Sequence, residues 1–89
     1  MVLTDPTVAK TFLVLHRETN VAQTMIASGA AGPRVDELLS QLWRLQGRLE
    51  KRVSVAPVES REMLTELCHF TRSRLEATEQ SLSFVSTLH

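Results

Sequence analysis

The sequence predicts an all-α fold: a three-helix antiparallel bundle, or a helical hairpin with a long C-terminal helix. Two observations carry this. Apolar residues recur at alternating steps of three and four in three separate blocks, and Gly-Pro and Ala-Pro dipeptides punctuate the blocks. The blocks run Val8, Phe12, Leu15, Thr19, Ala22, Ile26; then Val35, Leu38, Leu42, Leu45, Leu49; then Leu64, Leu67, Thr71, Leu75, Thr78, Leu82, Val85. Such spacing places each set on one helical face, and that face must be buried against other helices.

The first helix is expected over 5–28. Thr4 or Asp5 can accept a bond from an orphan amide, and Pro6 is preset for the first helical position. Gly29 can take the left-handed conformation that ends a helix. Phe12, Leu13, Val14 and Leu15 cover most of the circumference at one level, so this helix is expected to be contacted from more than one side.

The connector Ser-Gly-Ala-Ala-Gly-Pro is short enough to make the next helix an antiparallel neighbour. That second helix is expected over 33–54. Asp36 and Glu37 near its start and Lys51 and Arg52 near its end complement the helix dipole. Gly47 inside it costs about 1 kcal/mol relative to alanine. Close approach of another helix is the expected reason for its presence.

Ala56-Pro57 breaks the pattern again, because the residue before a proline is biased away from helix. The third helix is expected over 57–88, roughly 45 Å long against about 30 to 35 Å for the others. It should therefore extend beyond its neighbours. Leu82, Phe84, Val85 and Leu88 in its last turns are expected to find a partner surface.

The 89 residues make one domain, 1–89, near the size at which a single core becomes marginal. With 43% hydrophobic and 22% charged residues the chain is composed as a folded protein, not a disordered one. Aromatics are only 4%, so leucine, valine and alanine must build the core. The formal net charge is +0, which leaves no long-range field to steer the protein to nucleic acid or an anionic membrane. The longest apolar run, Phe12 to Leu15, is far too short to cross a bilayer. Cys68 is the lone cysteine, which excludes an intrachain disulfide and fits a reducing compartment. Asp5 and Pro6 interrupt any signal-peptide pattern, so a soluble, cytoplasmic protein is expected.

Four cations, Arg44, Arg48, Lys51 and Arg52, recur at steps of four, three and one along the second helix. Converging guanidinium groups can hold a phosphate or dicarboxylate. The alternative is a solvated flank balanced by Glu62, Glu66, Glu76 and Glu79 of the third helix, and this is the reading favoured. As nucleic-acid readers the cations lack interleaved aromatics and excess positive charge.

The run Val35-Asp36-Glu37-Leu38-Leu39, with Arg48 and Lys51 beyond it, faintly resembles the first helix of all-helical chorismate mutases. That resemblance implies a small enzyme gripping a dicarboxylate through arginine and lysine. It covers about a fifth of the chain. The leucine pair stands one position early relative to the acid, and the matching helix is central here, where that family has it first.

Cys68 and His69 are adjacent on a helix, so their side chains diverge by about 100° and cannot meet on one atom. A buried thiol and a boundary histidine are expected. No cysteine or histidine spacing matches a zinc pattern, and nothing points to a metal or cofactor. His16-Arg17-Glu18 reads as a polar face. Trp43 lies off the centre of the leucine stripe, either as core flank or as an interface anchor. Thr19, Thr71 and Thr78 on apolar stripes either restrict register and partner choice or bond to carbonyls one turn back.

These readings point to a non-enzymatic protein–protein interaction module: an adaptor, chaperone-like or regulatory subunit, with homodimerisation its simplest form. The expected partner-binding residues are Phe12, Leu13, Trp43, Leu82, Phe84, Val85 and Leu88. A small enzyme holding an anionic metabolite at Arg44, Arg48, Lys51 and Arg52 is the rival, and a nucleic-acid-binding helical protein the more distant one.

Overall fold

The computed structural model describes residues 6–29 and 32–87, except for the side chains of 85–87. It contains three helices: α1 (Pro6–Ala27), α2 (Pro33–Ser54) and α3 (Val58–Thr87). Each packs on both others, so the fold is a three-helix bundle and not a hairpin. Among the described residues there are no strands. Its principal dimensions are 48 × 18 × 17 Å.

The boundaries follow from local chemistry. Gly29 has φ 86°, the left-handed cap expected at the end of α1, and its amide donates to the Ile26 carbonyl at 3.1 Å. Gly32 precedes α2, accepting from the amides of Val35 and Asp36, with Pro33 at the first helical position. Pro57 does the same for α3, its carbonyl accepting from the amides of Ser60 and Arg61 at 3.1 Å each. The capping roles considered for Thr4 and Asp5 fall outside the described residues.

The core is built from Val8, Leu15, Ala22 and Ile26 of α1, Val35, Leu39, Leu42, Leu49 and Val53 of α2, and Leu64, Cys68 and Leu75 of α3. On α2 the buried line is therefore Val35, Leu39, Leu42, Gln46, Leu49, Val53, which corrects the expected line through Leu38 and Leu45. Both lines obey steps of three and four and share Val35, Leu42 and Leu49. α2 faces two helices at once, so its buried centre lies between its two contact flanks. Leu45 stands on the flank toward α1, beside Val8 and Thr11, and Trp43 and Glu50 on the flank toward α3. Gln46 is on the centre line, and a reading weighted by hydrophobicity passes it over. On α3, similarly, Cys68 is buried and Leu67 only half-buried.

Gly47 is a second correction. It is exposed, and a Cβ built there meets nothing within 4 Å, so no helix approaches it closely.

The extra length of α3 is divided between its two ends. Phe12 packs level with Phe70 and Gln23 level with Thr78, which makes α1 and α3 parallel. Counting along both helices sets Pro6 level with about Leu64 and Ala27 with about Leu82, leaving roughly one and a half turns of α3 beyond α1 at each end. Leu82 itself is half-buried and packs against the core, so it closes the bundle instead of projecting from it.

Candidate interaction surface

Two polar networks fix α3 against its neighbours, and they decide which surfaces remain for a partner. The first joins α2 and α3. Gln46 is fully buried; its Nε2 donates to the Cys68 carbonyl at 3.1 Å and to Glu50 Oε2 at 2.8 Å. Its Oε1 accepts from the Thr71 hydroxyl at 2.6 Å. The amide orientation is thus set by the network, since the flipped form would turn its oxygen toward a carbonyl and a carboxylate. Glu50 receives both Nε and a terminal nitrogen of Arg72 at 2.9 Å, a bidentate pair. That Arg72 hydrogen bond, aided by Gln46 and opposed by partial burial, holds the Glu50 carboxyl below its ordinary value. The Arg72 guanidinium also lies 5.5 Å from the centre of the Trp43 ring.

The second network joins α1 and α3. Arg74 donates to His16 Nδ1 at 3.0 Å, to Asn20 Oδ1, and to Gln23 Oε1 at 3.5 Å. Arginine has no acceptor, so His16 Nδ1 carries the lone pair in this contact. Gln23 Nε2 donates to Thr78 Oγ1 at 3.1 Å, and Thr78 donates back to the Arg74 carbonyl at 2.7 Å. Thr78 thus bonds both within its own helix and across to α1, while the Thr71 hydroxyl, donating to Gln46, also lies 3.0 Å from the Cys68 carbonyl one turn back.

A cluster of rings adjoins this second network: His16 belongs to both, and the Arg74 guanidinium lies 5.8 Å from the centre of the Phe70 ring. Phe12, His16 and Phe70 stand with centroids 6.3 to 6.4 Å apart at the outer rim of the α1–α3 groove. Phe12 is half-buried, but Leu13 is 62% exposed, Phe70 48% and Met63 41%. Met63 and Phe70 are seven residues apart, on the flank of α3 that turns toward α1. Met63 and Phe70 were not among the expected partner residues. Their heptad spacing was visible in the sequence, but only the packing shows that this line lies off the core.

Trp43 is half-buried against the core, and its indole N–H is buried without an acceptor among the described residues. It lines a 670 Å³ groove between α2 and α3 with Asp36, Ser40, Glu76 and Glu79. Phe84 is 65% exposed. The side chain of Val85 and the whole of Leu88 lie outside the described residues.

Arg44, Arg48 and Lys51 of α2 are not balanced by α3 in the way expected. Arg48, Lys51 and Arg52 line a 480 Å³ cleft between the start of α1 and the end of α2, with Thr7, Thr11 and Leu45. Arg44 is not part of that lining. Arg44, Arg48 and Lys51 make no ion pair among the described residues, and the ion pair joining α2 to α3 runs the other way, from Glu50 to Arg72. The cleft sits between the C-terminal end of α2, where the helix dipole disfavours an anion, and the start of α1, where it favours one.

Cys68 is 7% exposed, and burial together with the Glu50 charge pushes its thiol upward, while His69 is exposed beside it. That places a buried thiol, with less thiolate than a free cysteine, next to an exposed histidine where a boundary one was expected. Among the described residues no group of three or more histidines, cysteines and carboxylates is placed to hold a metal ion. No helix among them is long and apolar enough to cross a membrane. Comparison with protein families, curated proteins and solved structures finds no match to this chain.

Proposed function

We propose that this protein is a non-enzymatic interaction module that docks another helical protein on the outer face of α1 and α3. The supporting observation is the apolar group Leu13, Met63 and Phe70, large side chains left exposed beside a ring cluster while the core is complete without them. A folded chain of this size with that much apolar surface on one face gains by covering it. In this reading the protein works in the cytoplasm as an adaptor, chaperone-like or regulatory subunit; a single free, buried Cys68 is consistent with a reducing compartment.

The test is site-specific photo-crosslinking. A photoreactive residue at position 13 or 70 is expected to form a discrete adduct with a folded helical protein, and one at the exposed position 41 is not. Equal labelling from all three positions would overturn the reading. The rival anionic-ligand reading has the 480 Å³ cleft in its favour. It requires saturable binding of a dicarboxylate such as succinate, lost in Arg48→Ala.

A further inference from the structure

Independently of the α1–α3 face, we propose that the groove between α2 and α3 beside Trp43 binds a basic peptide segment of another protein, one carrying lysines or arginines around an apolar side chain.

The groove has a volume of 670 Å³ and is acidic on both walls: Asp36 stands on α2, and Glu76 and Glu79 on α3. All three are exposed, and none makes an ion pair among the described residues. No cation is among the described residues that line the groove. Arg72 lies over the Trp43 ring, but its charge is held by Glu50 in the bidentate pair, and its field reaches Glu76 one turn on without an ion pair. Arg34 and Arg44 of α2, two positions before Asp36 and one after Trp43, are outside the lining. Three carboxylates thus face the groove with no cation between them, and an occupant of opposite charge is favoured.

The acids do not converge on a point. Among the described residues no three carboxylates, histidines or cysteines are placed to hold a metal ion, so the complement is a set of spaced charges. Between the acidic walls the lining is apolar, with Leu39 buried and Trp43 and Leu82 half-buried. An apolar side chain of the occupant covers what these three leave exposed. Trp43 carries a second indication that is independent of charge: its indole N–H is buried without an acceptor among the described residues. A peptide brings cations, an apolar side chain and backbone carbonyls, which accept from the indole once it turns toward them. A polyamine or a metal ion brings only the charge.

Trp43 is the sole tryptophan, so its emission reports on this groove. The probe is the blocked peptide Lys-Lys-Leu-Leu-Lys-Lys, titrated into the full chain at low salt. Saturable binding with a dissociation constant of about 10–500 μM is expected, together with a shift in Trp43 emission. Glu79→Lys should weaken it about tenfold and Asp36→Asn about threefold, at unchanged helical circular dichroism. Glu62→Lys makes the same charge change on α3 outside the groove and should weaken it less than about twofold. Raising the salt to ~0.5 M should weaken binding about tenfold. Absence of saturation by about 2 mM peptide overturns the proposal, as does saturation that leaves Trp43 emission unmoved. Equal weakening by Glu62→Lys and Glu79→Lys overturns it as well, since diffuse attraction would then explain the binding. Equal affinity for Glu-Glu-Leu-Leu-Glu-Glu removes the charge complementarity, and equal affinity for spermine removes the peptide as occupant.

Discussion

The Thr71 hydroxyl donates to the side-chain oxygen of Gln46 at 2.6 Å, across the α2–α3 interface, where neither residue is more than 3% exposed. The bond sits in a largely aliphatic core and fixes the register of α3 against α2, because a slide of one position would leave a buried amide unpaired.

Thr71→Val keeps the shape and removes the donor. It is expected to cost about 1–3 kcal/mol, the penalty for a buried acceptor left without a partner. Gln46→Leu with Thr71→Val should recover most of that loss, since an apolar pair of similar volume needs no partner. Urea unfolding of the three proteins measures both effects.

Gly47→Ala should stabilise the protein by about 0.5–1 kcal/mol. The glycine is in the middle of α2 with open space where its Cβ would stand. Thermal melts followed by circular dichroism would show the rise. A loss of stability would mean that a neighbour does pack there.

Leu42 and Leu45 separate the two candidate lines on α2. Leu42 is 1% exposed and Leu45 only half-buried. Leu42→Ala is expected to cost about 2–5 kcal/mol and Leu45→Ala about 1–2 kcal/mol. Equal costs would put the centre line back between Leu38 and Leu45.

Glu50 is held below its ordinary 4.5, chiefly by Arg72. A lowered folded-state pKa contributes stability that is complete above the unfolded value and is lost as pH falls through the folded one. Glu50→Gln should therefore be less stable than the parent at pH 7 and converge with it as pH falls below the lowered folded-state value. The pair is partly exposed, so the difference should be small and shrink in ~1 M salt.

The three helices and their ends were legible in the sequence because they depend on local chemistry: apolar spacing, Pro33 and Pro57 at helix starts, and Gly29 at a helix end. Leu15, Leu42 and Leu75 were legible as core for the same reason. Leu13 was marked as a partner contact because four apolar residues in a row cannot all face one core.

Other features depend on where neighbouring helices lie, and periodicity carries no such information. Gln46 is buried because α2 is pressed from two sides, and it is tolerated because Cys68, Thr71 and Glu50 happen to surround its amide. The cations Arg48, Lys51 and Arg52 face the start of α1 because the rotation of α2 about its axis is set by both interfaces together. Met63 and Phe70 are exposed because the buried line of α3 runs through Leu64, Thr71 and Thr78. The sequence by itself determined that three amphipathic helices form and pair; the tertiary structure decided their rotation, and with it which polar residues are buried and which apolar ones are left for a partner. Helix formation is fixed by neighbours in the chain, whereas rotation minimises a free energy summed over all three interfaces.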